Sequence, residues 1–136
     1  MNKYCKTLFL IGITLGILSC FRINNIGEIK VKDSKVGFQL EDDGHVTEAQ
    51  TVPADVDKIY FETFLDIPST AEIALEFRWY YETQLIYSYT GQHSRGYTIA
   101  TLEVEPTTAS GFPKGEYLVQ VWFINTMLDE VAFNLE

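Results

Sequence analysis

Glu72-Ile73-Ala74-Leu75-Glu76-Phe77-Arg78-Trp79-Tyr80-Tyr81-Glu82 is the stretch that decides the fold. Its period is two. Ile73, Leu75, Phe77, Trp79 and Tyr81 alternate with Glu72, Ala74, Glu76, Arg78, Tyr80 and Glu82. Successive side chains of a strand point to opposite faces, so this is a half-buried strand with an apolar inner side and a more polar outer one. The alternation recurs on either side. In Ile59 to Ile67, Ile59, Phe61, Leu65 and Ile67 share one face, and Tyr60, Glu62, Phe64 and Asp66 the other. In Glu28 to Lys32, Ile29 and Val31 alternate with Lys30 and Lys32. Further strands are predicted over Val36 to Glu41, Gln84 to Thr90, Tyr97 to Glu105, Glu116 to Ile124 and Glu130 to Leu135.

Turn signals stand between these runs: Asp42-Asp43-Gly44, Ile67-Pro68-Ser69, Thr90-Gly91, Arg95-Gly96 and Phe112-Pro113-Lys114-Gly115. The last has Pro at the second and Gly at the fourth position, as a type I turn prefers. Helical spacing is absent apart from a turn near Ala54 to Lys58. About eight short strands with turns every 8 to 12 residues or so predict an all-β single-domain sandwich over residues 28–136.

The C-terminal third adds a resemblance. Phe112-Pro113-Lys114-Gly115-Glu116-Tyr117-Leu118-Val119-Gln120-Val121-Trp122, a short turn, and Val131-Ala132-Phe133-Asn134-Leu135 resemble the last hairpin of the immunoglobulin-like domains of bacterial exported proteins. Pro53 to Leu65 and Ala71 to Trp79 are similar to the earlier strands of such domains, with Trp79 as the core tryptophan of a central strand. The resemblance implies an immunoglobulin-like β-sandwich of about seven to eight antiparallel strands. It implies no activity, because that architecture hosts many.

At the other end, Lys3 and Lys6 precede the apolar run Thr7 to Leu18, which closes on Ile17-Leu18-Ser19-Cys20. A basic start, an apolar middle and a small residue before the cut make an export signal. The stretch Ile17 to Cys20 resembles the lipobox of bacterial lipoproteins. That resemblance implies a signal peptide over residues 1–19, acylation of Cys20, a tether over 20–27, and attachment to a membrane on its extracytoplasmic side. The apolar run from Thr7 to Phe21 is 15 residues, short of the roughly 20 that cross a bilayer. With Cys5 lost in the leader and Cys20 taken by lipid, no disulfide is expected.

Ten basic and nineteen acidic side chains give a formal charge of −9, and loss of Lys3 and Lys6 with the leader makes it −11. Such acidity argues against nucleic acid, whose binding needs phosphates neutralised by Lys and Arg. A charge-selected partner would be basic. Catalytic signals are equally scarce. His45 and His93 have no second histidine or cysteine at ligand spacing, so no metal or other cofactor is expected. Glu41-Asp42-Asp43-Gly44 lacks the later carboxylates of a calcium loop. Glu103 and Glu105 are expected on the wet face of a strand, with Leu102 and Val104 toward the core. No enzyme is predicted.

The aromatic excess is what remains. With Tyr117, Val119, Val121 and Phe123 inward, parity places Leu118, Trp122 and Ile124 outward, on the same side as Arg78 and Tyr80. Arg78, Tyr80 and Trp122 are the candidate binding residues, with Tyr87 and Tyr89 expected to extend the patch. Exposed Tyr, Trp and Arg mark binding faces; the alternative is that both faces of Glu116 to Ile124 are covered. Two functional classes follow: a lipid-anchored binding or adhesion module for a protein or glycan ligand, and an acidic inhibitor of a basic exported enzyme such as lysozyme.

Overall fold

The computed structural model describes residues 28–103 and 111–136. The leader (1–19), Cys20, the tether (20–27), Val104 and Glu105 lie outside these residues. Ten strands are present among the described residues: β1 (Lys30–Gly37), β2 (Gln39–Leu40), β3 (Val46–Thr47), β4 (Thr51–Val52), β5 (Lys58–Asp66), β6 (Glu72–Tyr81), β7 (Gln84–Ser94), β8 (Gly96–Glu103), β9 (Gly115–Phe123) and β10 (Thr126–Leu135). Eight of them, the seven long ones and β4, form two sheets, one ordered β1-β5-β8 and one β4-β10-β9-β6-β7, with β2 and β3 as a separate small hairpin. All ladders are antiparallel except β4 with β10, where Thr51 and Val52 run parallel to Asn134 and Leu135. This departs from the all-antiparallel expectation.

The deciding strand behaves as its period demands. Ile73, Leu75, Phe77 and Trp79 are buried, while Glu76, Arg78 and Tyr80 are half-buried on the other side. From β9, Tyr117, Val119 and Val121 join the core. From β5 come Ile59, Phe61 and Leu65, and Phe61 meets Phe77 across the sandwich edge to face at 6.0 Å between ring centres. Trp79 is 0% exposed and packs edge-on against Phe133 at 6.3 Å. Burying such a side chain is worth about 1.5 to 3 kcal/mol relative to exposure, which is how a sandwich without a disulfide among its described residues closes.

Tyr117 shows how the core accommodates a polar tip. Its ring stacks on Phe133 at 5.4 Å and its hydroxyl donates to the Pro113 carbonyl at 2.6 Å. Burial, with Tyr81 and Glu82 nearby, pushes its pKa up to about 12. Phe112 is buried as well, so the Phe-Pro-Lys-Gly segment anchors to the core in addition to reversing the chain.

Direction along the strands places the ends of the domain. Lys30 pairs with Asp66, so β1 begins where β5 finishes and β6 starts. The β6–β7 turn, Glu82-Thr83, therefore lies at the opposite end. Both turn residues have left-handed backbones, φ 46° and 70°, which a two-residue hairpin of right-handed twist requires.

Candidate functional site

The outer face of the five-stranded sheet brings together all three candidate binding residues. Arg78 sits opposite Gln120, Tyr80 opposite Leu118 and Glu76 opposite Trp122. The Arg78 guanidinium lies over the Trp122 ring at 4.1 Å and donates to Glu76 Oε1 at 2.8 Å. The hydrogen bond from Arg78 to the Glu76 carboxylate raises the guanidinium pKa. Trp122 Nε1 donates to Gln120 Oε1 at 2.9 Å, and Gln120 Nε2 donates to Glu130 Oε2 at 3.2 Å. A continuous line of cation–π and hydrogen-bond contacts thus crosses three strands and pins the indole from both sides. Because each member covers its neighbour, Arg78, Tyr80 and Trp122 are half-buried rather than fully exposed.

Beside this line runs an open groove of about 940 Å³, lined among others by Tyr80, Leu118, Ala132, Asn134, Thr51 and Glu82. Leu118 pairs with Ala132 and with Tyr80, so these three lie side by side on the sheet. Thr51 and Glu82 belong to β4 and the β6–β7 turn respectively.

Tyr87 and Tyr89 do not join this face. Hairpin parity from Glu82-Thr83 alone would set Tyr87 opposite Arg78, but a bulge at Ile86 intervenes, and the register becomes Trp79 with Tyr87 and Phe77 with Tyr89. A shift of one residue moves every later side chain to the other face. Both tyrosines therefore share the side of Trp79 and Phe77, where they are 45% and 50% exposed.

A second cluster escaped the sequence reading. Glu62, expected on the wet face of β5, is 1% exposed. The β2–β3 hairpin folds over it: Val46 N donates to its Oε1 at 2.9 Å, and His45 Nδ1 lies 3.1 and 3.2 Å from its two oxygens. Lys35 Nζ stands 3.7 Å from Oε2. Nδ1 donates to the carboxylate, and the His45 ring meets Tyr97 edge-on at 4.7 Å. The cavity here, about 360 Å³, is lined by Asp33, Lys35, Glu41, His45, Glu62 and Tyr97, which include no Ser, Thr or Cys nucleophile. Among the described residues no group of three His, Cys, Asp or Glu is disposed to hold a metal. Glu62 is accounted for by its ties to the hairpin backbone and to Lys35. One signal was available: Tyr60 and Phe64 flank Glu62 on the same face, and two aromatic rings there mean that the face is covered.

His93 likewise turns inward, edge-on to Phe77 at 5.7 Å with Nδ1 3.0 Å from Thr98 Oγ1. Burial lowers its pKa.

No family model matches the sequence, and no curated relative is found for it. Solved structures do resemble it. An immunoglobulin-like protein from Pseudomonas aeruginosa superposes with a TM-score of 0.60 at 15% identity, covering 81% of this chain and 98% of the other. The fold is immunoglobulin-like. An alkylpurine DNA glycosylase from Pseudomonas fluorescens, bound to DNA with an abasic-site analogue, gives a TM-score of 0.50 at 14% identity. That match covers 80% of this chain and 30% of the glycosylase. At these identities the likeness shows the fold alone.

Proposed function

We propose that this immunoglobulin-like chain is a noncatalytic binding module, lipid-anchored through Cys20 on the outer side of a bacterial membrane, and that it captures a protein or glycan on the outer face of its five-stranded sheet. The observation that carries the reading is the Arg78–Trp122 stack, pinned by Glu76 and Gln120 beside an open groove. Rigid, partly desolvated Trp, Tyr and Arg side chains lose little freedom when a partner docks, and such residues dominate binding energy. No nucleic acid and no cofactor is part of this reading.

Two variants test the face. Trp122→Ala and Tyr80→Ala should leave a folded domain and weaken capture of an envelope or host partner by about 2 kcal/mol or more, roughly 30-fold. Full-strength binding by both variants would remove the face from consideration. The anchor is tested separately, since Cys20→Ala should abolish incorporation of a labelled fatty acid.

The inhibitor reading rests on a different feature. Glu41, Asp42 and Asp43 are all exposed at the tip of the β2–β3 hairpin, held in place by Glu62 and suited to a basic cleft. Association by that route would slow steeply with salt, because the Debye length is only about 10 Å at 0.1 M.

A further inference from the structure

β7 is the outermost strand of the five-stranded sheet, and among the described residues only β6 pairs with it. Its eleven residues, QLIYSYTGQHS, contain no Asp, Glu, Lys, Arg or Pro. Free sheet edges ordinarily carry such residues, or are very short, because an unpaired row of N–H and C=O groups is a template for another strand. Here the only such device is the bulge at Ile86, which leaves Tyr87–Ser94 as a regular edge. Leu85, Ile86, Tyr87 and Tyr89 are 49%, 44%, 45% and 50% exposed, four of the nine exposed large apolar side chains among the described residues.

The occupant of this edge follows from charge and symmetry. A chain of net charge −9 repels its own copies over most of its surface. β7 is an uncharged strip, so two β7 strands can approach with no like charges opposed. Two identical edges running antiparallel are self-complementary and close after one contact. A two-fold axis at Thr90 keeps the ladder within the regular segment. It sets Thr90 against the partner copy's Thr90, Tyr87 against its His93, and Tyr89 against its Gly91. Each Tyr89 ring already leans along its own strand over Gly91, where an added Cβ would lie 2.7 Å from the Tyr89 hydroxyl. Across the axis the two rings would pass side by side over backbone that carries no side chain. The geometry points to a homodimer in which β7 of one copy pairs antiparallel with β7 of a second, joining two five-stranded sheets into one of ten strands.

Cross-linking and mass measurement test this on the full chain in detergent, with Cys5 and Cys20 replaced by serine so that no native thiol competes. Cα atoms of facing antiparallel residues lie about 4.5 to 5.5 Å apart, within disulfide reach. Thr90→Cys should therefore form an interchain disulfide under mild oxidation, while Gln50→Cys, on the far side of the sheet, should not. Sedimentation should give twice the 15.5 kDa chain mass, and Tyr89→Lys, which sets two ammonium groups at the axis, should return it to one chain mass with an unchanged β spectrum. A single-chain mass for the parent at every concentration overturns the pairing. So does a dimer that survives Tyr89→Lys, equal cross-linking through Gln50→Cys, or a series of species larger than two chains.

Discussion

Glu62 offers the sharpest test of how the small hairpin is held to the sandwich, because two substitutions separate its backbone contact from its charge. Glu62→Gln keeps an oxygen for the Val46 N–H, which lies 2.9 Å from Oε1. It gives up the charge that faces Lys35 at 3.7 Å. Lys35 is 29% exposed and can turn to water, so the cost should be about 0.5 to 1.5 kcal/mol, that of one hydrogen bond or a partly screened pair. Glu62→Ala also orphans the Val46 N–H at a residue with no exposure. An unsatisfied buried donor costs about 1 to 3 kcal/mol, and with the His45 bond lost the total should reach about 2 to 4 kcal/mol. A domain of this size has about 5 to 15 kcal/mol in all, so alanine should lower the melting temperature by roughly 8 to 16 °C at about 4 °C per kcal/mol. Urea unfolding with an unchanged m-value is the assay. If alanine and glutamine cost the same within ~0.5 kcal/mol, the backbone bond is not what fastens the hairpin and the reasoning fails.

Trp79→Ala should cost about 3 to 5 kcal/mol in the same assay, since the side chain is wholly enclosed; a change within error would mean that the core is not where β6 places it. For His93, burial lowers the folded pKa, so above pH ~6.5 both states are neutral and stability is complete. As pH falls below that value the unfolded chain binds the proton first, and stability declines by at most ~1.4 kcal/mol per pH unit until the folded pKa is passed. His93→Phe should flatten that part of the pH curve, and an unaltered slope would assign it to other groups. Thr83 is β-branched at φ 70°, so Thr83→Gly should raise stability by about 0.5 to 1 kcal/mol. A drop on thermal melting would show that the side chain makes a contact outweighing the strain.

Legibility followed from how local each determinant was. The period of β6 could be read directly because its outer side chains are polar or half-exposed and its inner ones are enclosed. Arg78, Tyr80 and Trp122 fell on one face by parity alone, since no bulge interrupts β6 or β9 where they pair. Tyr87 and Tyr89 were misplaced because the inserted residue, Ile86, is an ordinary strand former with no signature of a bulge. β7 also runs four residues beyond the expected end, through Gly91, Gln92 and His93 to Ser94, where pairing with Ile73 and Glu72 overrides weak local preference. β10 starts four residues early for a similar reason, its first part joined to Phe123 and Trp122 across a bulge. β3 and β4 are two residues each, too short for a period to show; β3 exists through its hairpin with β2, and β4 through β10 at the far end of the chain. The burial of Glu62 likewise depends on a hairpin that arrives from 16 residues upstream.

The direction of β1 sets how far the groove stands from whatever holds the N-terminus. Lys30 enters beside Asp66, whereas Tyr80 and the Glu82-Thr83 turn occupy the other end of a ten-residue strand. At about 3.3 Å per residue that strand is a spacer of roughly 30 Å. With Cys20 in the bilayer, the groove would be held at the distal tip of the domain, clear of the lipid headgroups, and the eight-residue tether would add up to ~29 Å of slack. The sandwich would then work as a stalk, delivering its capture surface above a crowded envelope.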